Sequence, residues 1–552
     1  MSRSFLMSAA LAALASAAPS LALPTDFKAK ADALLAASYS ADGPGASVVV
    51  SEHGKIVYVG ARGMADVAAK RPITPDTVFR IGSITKQFSA AVVLQLAAEG
   101  KLKLSDPLSK YLPTFPNGSA ITVEELLNHS SGIQSYTGIP GWMTEANTAR
   151  AYTTVQLVAV FKGLPAPDKP GAKWEYNNSG YILVGALIEA VTGKPWYQAV
   201  DERIARPLGL KTIRYGGDEA MIAAMAKGYS QDDSGVVPAK KIHMSVPAAA
   251  GALVGTPADL AKWGYALHHG KVVPAPFYEQ MIAPSAISKA NGRSYGFGLE
   301  TEAVRGAQTI GHGGGIFGFS TGSVYFPAED VFVAVYANSD QPQTAVDATT
   351  RRLAAMAIGK PYPTFTKHAL DATALAPLLG VYKFKAMNRI ITIEDGKLLY
   401  QRPEGATSEL IPVGGDLYSF GLDTLGWVEL KRDAADKPVM RVFPDGEDND
   451  GPAAWTGPVP PPAMAFDVPT ATLKRYIGSY TSPMGPVKVA EAGAGKLIIQ
   501  LAGQPAIPLR ATGVADFDVE RVGAKVHFVE ENGKVVRLEI AQRGRTLPAT
   551  RD

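Results

Sequence analysis

The chain has 552 residues, of which 46% are hydrophobic and 19% are charged, and its formal net charge is +3. This is the composition of an ordinary globular protein of roughly three to four domains, and the small net charge gives no reason to expect nucleic acid as a partner. The sequence contains no cysteine, which excludes disulfides, thiol catalysis and thiolate metal sites.

The first 22 residues have the pattern of an export signal. Arg3 provides a positive start, an apolar and alanine-rich run follows at 5–18, and small residues precede Leu23. The run is shorter than the ~20 residues that a transmembrane helix needs. No other stretch is long and apolar enough to span a membrane, so we expect an exported protein that works in the periplasm or outside the cell.

The first elements expected after this signal are two strands, residues 46–51 and 55–60, which are rich in β-branched residues. They flank a turn that contains Gly54, and together they predict a β-hairpin. His53 is then a turn residue without a chemical role.

Ser83 and Lys86 form the only Ser-x-x-Lys motif in the chain. The apolar residues that follow recur at three- and four-residue steps and predict a helix that ends near Gly100. The motif therefore begins this helix, with both side chains on one face. A serine needs a base to become nucleophilic, and a lysine becomes a base when burial disfavours its charged form. For the motif alone, two unrelated surface residues are the alternative.

A second polar cluster, Tyr176 to Asn178, precedes an apolar helical pattern that runs from Ile182 to Gly193. A phenol can relay a proton when neighbouring cations lower its pKa. A side-chain amide two residues later can bind a substrate carbonyl. The alternative for this cluster is an asparagine-rich helix cap.

A third motif is glycine-rich: His312 is followed by three glycines, among them Gly314 and Gly315. The next stretch, 321–336, alternates around a turn and predicts two adjacent antiparallel strands. The glycines leave the backbone unobstructed, so an extended substrate can lie against it. A backbone N–H here could pair with that of Ser83 to hold an oxyanion. The alternative for the histidine is a structural residue beside a glycine-rich bend.

Other motifs in the chain do not support a different chemistry. The G-x-G-x-x-G at 313–318 lacks the following helix of a dinucleotide site, and the G-x-S-x-G at 318–322 continues as strand. His268 and His269 fit the end of a helix capped at Thr256 better than a metal site. The remaining histidines lack ligand spacing, so we predict neither a metal nor a cofactor.

Taken in order, Ser83-x-x-Lys86, Tyr176-x-Asn178 and His312-x-Gly314 resemble the three active-site motifs of the penicillin-recognising serine hydrolases. This superfamily includes class C β-lactamases, D-Ala-D-Ala carboxypeptidases, D-aminopeptidases and β-lactamase-like esterases, and the linearised-microcystin peptidases are a candidate neighbour within it. The resemblance covers residues 40–345. It implies an α+β fold, in which an antiparallel sheet with helices on both faces adjoins a helical lobe and the active site lies between them.

The expected mechanism is two-step acyl transfer, in which the serine attacks a carbonyl and water later releases the acyl group. The expected site residues are catalytic Ser83, Lys86, Tyr176 and His312, substrate-binding Asn178 and Gly314, and an oxyanion hole of the backbone N–H groups of Ser83 and Gly315. In this scheme Lys86 and Tyr176 share the serine proton, and His312 either tunes Tyr176 or contacts the polar end of the substrate.

The third motif departs from the Lys-Thr-Gly of class C β-lactamases, because this chain has His312-Gly-Gly. A neutral histidine anchors a substrate carboxylate less firmly than an ammonium. His-x-Gly is the form found in DD-peptidases and D-aminopeptidases, which favours small linear peptides, including those with D-residues, as substrates. An esterase and then a β-lactamase are the alternative enzymes. The non-enzymatic alternative is a penicillin- or peptidoglycan-binding protein with little turnover.

The C-terminal part of the chain contains short strand patterns that occur twice. Leu379-Gly-Val-Tyr matches Ile477-Gly-Ser-Tyr, and a Gly-Lys-Leu motif follows each of them. The segments are expected to be a signal peptide, a hydrolase domain and two small antiparallel β-barrels or sandwiches, at 1–22, 23–365, 366–457 and 465–552. A proline-rich linker separates the two repeats. Neither repeat contains a catalytic motif, so we expect them to serve packing, substrate gating or assembly.

Overall fold

The computed structural model describes residues 23–552 except 223, 385–387, 403–406, 423, 449, 460–465, 494, 502–503, 505, 520–522 and 543–544. The expected export signal and most of the proline-rich linker lie outside the described residues. The chain forms two compact units, which divide between Tyr362 and Pro363. In the part of the chain that is described, no helix has the length and hydrophobicity needed to cross a bilayer.

The strands of the first unit form one large sheet and several small ones. They are β1 (Ala46–Glu52), β2 (Lys55–Arg62), β3 (Met64–Asp66), β4 (Arg71–Pro72), β5 (Phe79–Arg80), β6 (Arg214–Tyr215), β7 (Tyr229–Asp232), β8 (Gly235–Pro238), β9 (Leu253–Gly255), β10 (Glu300–Val304), β11 (Ala307–Ile316), β12 (Phe319–Phe326) and β13 (Val331–Ala337). The large sheet has the order β10-β11-β12-β13-β1-β2, and all its neighbours are antiparallel.

The helices of the first unit are α1 (Phe27–Ser38), α2 (Thr85–Ala98), α3 (Val123–Leu127), α4 (Glu145–Thr148), α5 (Thr154–Phe161), α6 (Asn178–Thr192), α7 (Trp196–Val200), α8 (Ala248–Gly251), α9 (Pro257–His268), α10 (Ala275–Ile282), α11 (Ala286–Ala290) and α12 (Val346–Ala357). Short 3₁₀ turns lie at Gly82–Ile84, Leu108–Lys110, Tyr136–Gly138 and Gly216–Met221, and a π-helical turn lies at Asp201–Ala205.

Helices cover both faces of the large sheet. On one face, Tyr325 of β12 stacks on His268 of α9, with 4.1 Å between ring centroids. On the other face, Gly322 of the same strand packs against Thr350 of α12, which leaves no room for a larger residue. Residues three apart on a strand point to opposite faces, so α9 and α12 lie on opposite sides. The predicted α+β fold with a sheet between helices is confirmed.

Helix α2 is the centre of the first unit. Its aromatic residue Phe88 stacks on Trp263 of α9 with ring centroids 4.1 Å apart, and Ser89 donates a 2.8 Å hydrogen bond to the carbonyl of Ala249. Nearly all of its side chains from Thr85 to Leu96 are buried. A helix with apolar residues on nearly all sides is typical of a position that is buried in the interior of the protein. Its first turn is therefore held from several sides.

The second unit contains two closed antiparallel barrels of eight strands each. The first barrel consists of β14 (Gly380–Lys383), β15 (Asn388–Glu394), β16 (Lys397–Gln401), β17 (Ser408–Gly414), β18 (Leu417–Ser419), β19 (Trp427–Arg432), β20 (Pro438–Phe443) and β21 (Ala453–Gly457). The second consists of β22 (Gly478–Ser482), β23 (Gly485–Glu491), β24 (Leu497–Leu501), β25 (Ile507–Ala511), β26 (Asp516–Val519), β27 (Ala524–Glu531), β28 (Lys534–Gln542) and β29 (Arg545–Arg551). Helices α13 (Ala372–Leu375) and α14 (Thr470–Tyr476) precede them.

The sequence repeat corresponds to equivalent strands of the two barrels. Tyr382 on the first strand of one barrel and Tyr480 on the first strand of the other are both fully buried. Each phenol donates a hydrogen bond to the carbonyl four residues earlier, at Leu378 and Tyr476. The expectation of two all-β repeats is confirmed, and the closed arrangement leaves neither barrel with an open sheet edge.

Candidate active site

Ser83 lies in the 3₁₀ turn that leads directly into α2, beside strand β11. Gly82 has φ +51°, a left-handed conformation that favours glycine. A Cβ at Gly82 would lie 3.0 Å from the backbone nitrogen of Gly315, and a Cβ at Gly314 would collide with the carbonyl of Ile81. The glycines of both segments therefore allow the turn and the strand to approach closely, and this approach places Ser83 next to Gly315.

Lys86 is completely buried one turn further along the helix. Its Nζ lies 3.0 Å from Oγ of Ser83, 2.9 Å from Oδ1 of Asn178 and 2.9 Å from the carbonyl oxygen of Ala250. Burial lowers the pKa of Lys86 well below its usual value, which favours the neutral amine.

A neutral amine has two N–H groups and one lone pair, and the three neighbours of Nζ match this inventory. Asn178 Oδ1 and the Ala250 carbonyl are acceptors only, so each takes one N–H. The lone pair is then left for Ser83, whose hydroxyl can donate its proton. In the neutral form that burial favours, Lys86 is therefore an acceptor toward Ser83, which is the arrangement of a general base and a nucleophile.

Tyr176 lies immediately before α6, and its phenol is hydrogen-bonded to Ser83. Its ring lies 4.8 Å from Nζ of Lys86. Burial raises the pKa of Tyr176 above its usual value, although the hydrogen bond to Ser83 opposes this. The expectation that neighbouring cations lower this pKa is not met, because Lys86 is itself driven to the neutral form. The phenol thus remains a proton donor at ordinary pH.

Asn178 is the first residue of α6, and the side chain of Asn177 caps the helix by accepting a 3.0 Å hydrogen bond from the backbone N–H of Gly180. The Asn178 amide accepts from Lys86 and donates a 3.2 Å hydrogen bond to Oγ1 of Thr137. This amide therefore orients the lysine, a contact that the sequence did not indicate. It also lines the cavity beside Ser83, where a substrate would lie.

His312 is buried on β11 and contacts Tyr295. Its Nε2 lies 3.0 Å from the Tyr295 phenol, and its Nδ1 donates a hydrogen bond to the carbonyl of Gly313. Its ring centroid is 6.2 Å from that of Tyr176. Burial lowers the pKa of His312 to about 4, with a smaller contribution from Lys86, so the ring is neutral at neutral pH. Tyr295 lies in a segment where no sequence pattern indicated a functional residue.

A cavity of about 370 Å³ adjoins Ser83. Ser83, Asn178 and Gly315 line this cavity. Among the described residues that line it, Asp340 is the one with a charged side chain. The rest of its wall is largely apolar and includes Met143, Ile242, Pro247, Ile316, Phe317 and Phe319. An apolar cavity with a few convergent polar groups is typical of a small-molecule site.

The described residues contain no group of three or more His, Asp or Glu side chains that could hold a metal ion. His268 is the last residue of α9, and its Nδ1 lies 2.8 Å from the phenol oxygen of Tyr278. Beside this cavity, the contacts of Ser83 with Lys86 and Tyr176 support nucleophilic attack by the serine with the lysine as base.

A model of the family described as Beta-lactamase matches residues 27–357. The chain belongs to this family. The resemblance drawn from the three motifs is thereby confirmed, and the matched residues contain the whole arrangement around Ser83.

Among similar proteins, a D-aminopeptidase of Brucella canis is 30% identical over 293 residues, which are 50% of this chain and 53% of the relative. Penicillin-binding protein PbpX of Bacillus subtilis is 30% identical over 253 residues, 46% of this chain and 61% of the relative. The chain thus spans less than two thirds of both relatives. A solved D-stereospecific amidohydrolase from Streptomyces is 32% identical with a TM-score of 0.51, over 57% of this chain and 95% of that structure.

Proposed function

We propose that this protein hydrolyses amide bonds of small linear peptides or amino acid amides through an acyl-enzyme on Ser83. The observation that supports this most directly is the hydrogen-bond inventory of Lys86. Two acceptors take its N–H groups, and the third contact, at 3.0 Å, is the hydroxyl of Ser83. A buried neutral amine that can receive a proton from a serine is what acyl transfer needs.

In the proposed first step, Ser83 Oγ forms a bond to the substrate carbonyl carbon and its proton passes to Lys86. The carbonyl oxygen becomes an oxyanion, which the backbone N–H groups of Ser83 and Gly315 stabilise. Tyr176 gives its proton to the leaving nitrogen and is reprotonated from Lys86, so the C–N bond breaks and an amine departs. Water then attacks the acyl carbon and loses a proton to the same groups. The bond between that carbon and Ser83 Oγ breaks, the serine regains a proton from Lys86, and the acid departs.

The preference for amides that contain D-residues rests on three observations. Two relatives bear the names D-aminopeptidase and D-stereospecific amidohydrolase. The third motif of this chain is His312-Gly-Gly, without the lysine that would anchor a β-lactam carboxylate. The cavity of about 370 Å³ suits a small acyl group and has a mainly apolar wall.

We further propose that residues 1–22 direct the protein to the periplasm or the exterior.

The test uses the purified chain without residues 1–22, a fluorescent acylating ester as a probe, and D- and L-alanine p-nitroanilide as substrates. We expect labelling of Ser83 and release of nitroaniline from the D-isomer, and loss of both in Ser83→Ala. Ser320→Ala is the matched control, because Ser320 also lines the cavity but contacts neither Lys86 nor Tyr176 in the described contacts.

Three results would contradict the proposal and favour a different function or nucleophile. Labelling that survives in Ser83→Ala would place the nucleophile elsewhere. Turnover of acyl esters or of a chromogenic cephalosporin, without turnover of any amide, would favour the esterase or the β-lactamase. One equivalent of rapid product release followed by negligible turnover would indicate a binding protein that is acylated and released slowly.

A further inference from the structure

His129 occupies an unusual position in the loop that follows α3. Its backbone has φ +64°, a left-handed conformation that is unfavourable for a residue with a Cβ. Its side chain is 2% exposed. Unfavourable backbone conformations persist only where the surroundings enforce them, and they are concentrated at functional sites. The mechanism proposed above gives this residue no role.

His129 accepts hydrogen bonds from the two residues that immediately precede and follow Tyr176 in the chain. The backbone N–H of Glu175 donates to the carbonyl of His129 at 3.0 Å, and the backbone N–H of Asn177 donates to its Nδ1 at 3.1 Å. The residues on both sides of Tyr176 are thus bonded to the same residue. Because Nδ1 accepts a hydrogen bond, the neutral ring carries its proton on Nε2.

The imidazole also packs against the phenol ring. The ring centroids of His129 and Tyr176 lie 4.4 Å apart, and that of Tyr295 lies 4.6 Å from His129 on another side. Nε2 of His129 is buried and has no hydrogen-bond partner among the described residues. An unpaired buried N–H is unfavourable for stability, so local stability alone does not account for a histidine here.

We infer that His129 is a positioning residue that holds the phenol of Tyr176 within reach of Ser83. This inference depends on the proposed function, since it assigns the residue to the same reaction. The left-handed backbone of His129 presents its carbonyl and its Nδ1 to the two N–H groups that flank Tyr176, and its ring limits the rotation of the phenol. Displacements of about 1 Å can reduce a reaction rate by roughly 10²-fold, so such a support affects kcat.

Two variants separate the components of this support. Glycine and asparagine both tolerate the left-handed conformation, so neither adds backbone strain. His129→Gly removes the Nδ1 acceptor and the ring, whereas His129→Asn retains an acceptor close to the position of Nδ1 and removes the ring. We expect kcat to fall about 10- to 100-fold in His129→Gly and about 3- to 10-fold in His129→Asn, with KM within about 3-fold of the wild type.

A double-mutant cycle with Tyr176→Phe distinguishes positioning from a structural role. If His129 acts through the phenol, then either His129 variant lowers kcat by less than about 2-fold in the Tyr176→Phe background, because coupled residues are non-additive. His268→Asn is the matched control, since His268 bonds Tyr278 and stacks on Tyr325 away from the site. Its kcat should equal that of the wild type.

The inference would be overturned if the losses of kcat from a His129 variant and from Tyr176→Phe multiply in the double mutant. An unchanged kcat in both His129 variants would overturn it as well. If His129→Gly does not fold, as judged by thermal unfolding, the cycle with His129→Asn decides. Failure of the proposed function is a separate result: the wild type itself would then show neither labelling of Ser83 nor turnover.

Discussion

Asn178→Asp tests whether Lys86 acts as a neutral base. The substitution has nearly the same shape but places a carboxylate 2.9 Å from Nζ of Lys86. Two opposite unit charges at that distance attract by about 6 kcal/mol at an effective dielectric constant of ~20. Desolvation of the new carboxylate offsets part of this energy, so we expect the pKa of Lys86 to rise by about 1–3 pH units, which is typical of a buried pair.

The sign of the effect on activity follows from the protonation state that the reaction needs. The active form is the neutral amine, so kcat/KM rises with pH through the pKa of Lys86. In the wild type burial lowers this pKa, and the rise occurs well below the pH at which an ordinary lysine titrates. In Asn178→Asp the rise moves to higher pH. At a fixed pH below both the wild-type and the new pKa, raising the pKa by one pH unit reduces the neutral fraction, and hence kcat/KM, about tenfold.

The assay is the rate of Ser83 acylation by an activated ester, measured by stopped flow from pH 5 to pH 10. We expect the variant to regain the wild-type rate at high pH. Asn291→Asp is the control, because Asn291 is exposed at the end of α11 and makes no described contact with Lys86, so its profile should keep the wild-type midpoint. A loss in Asn178→Asp by the same factor at every pH would refute the reasoning, because it would assign the amide to substrate binding alone.

Three further predictions concern stability. Gly314→Ala should destabilise the first unit by about 1–3 kcal/mol in urea unfolding because of its backbone clash, whereas Gly313→Ala, which has only an ordinary contact, should not. Between the lowered pKa of Lys86 and ~10.4, the unfolded chain binds one more proton than the folded chain. Stability should therefore rise with pH by about 1.4 kcal/mol per pH unit relative to Lys86→Met, and unfolding at several pH values measures this slope. Tyr382→Phe and Tyr480→Phe should each cost about 1 kcal/mol in thermal unfolding without changing turnover.

The sequence predicted the elements that carry local signals. The apolar spacing after Lys86 predicted α2, and the observed helix ends at Ala98, just before Gly100. The duplicated Gly-x-Tyr pattern predicted two β repeats, which the barrels confirm. Local signals decide less between Leu102 and Leu112, where the leucines alone favour a helix but the structure has only the 3₁₀ turn Leu108–Lys110, because Pro107 and the residues before it favour turns.

The contacts that complete the site could not be predicted from local patterns. The carbonyl of Ala250, which accepts from Lys86, is a backbone group in an alanine-rich segment with no distinctive side chain. Tyr295 meets His312 only after β10 and β11 have paired. His129 was visible in the Leu-Asn-His-Ser-Ser-Gly sequence, but its bonds on both sides of Tyr176 depend on the path of a loop 47 positions away.

Strand β11 passes close to Gly82, although the two segments are far apart in the sequence. The base depends on distant segments as well, because Lys86 bonds Asn178 and the carbonyl of Ala250, which lie 92 and 164 positions further along the chain. Gly315 lies beside Gly82 because β11 pairs with β12 in the large sheet. The nucleophile, its buried base and the proposed oxyanion donors therefore form one arrangement only when these distant segments have packed together, so a partly folded chain lacks the complete site.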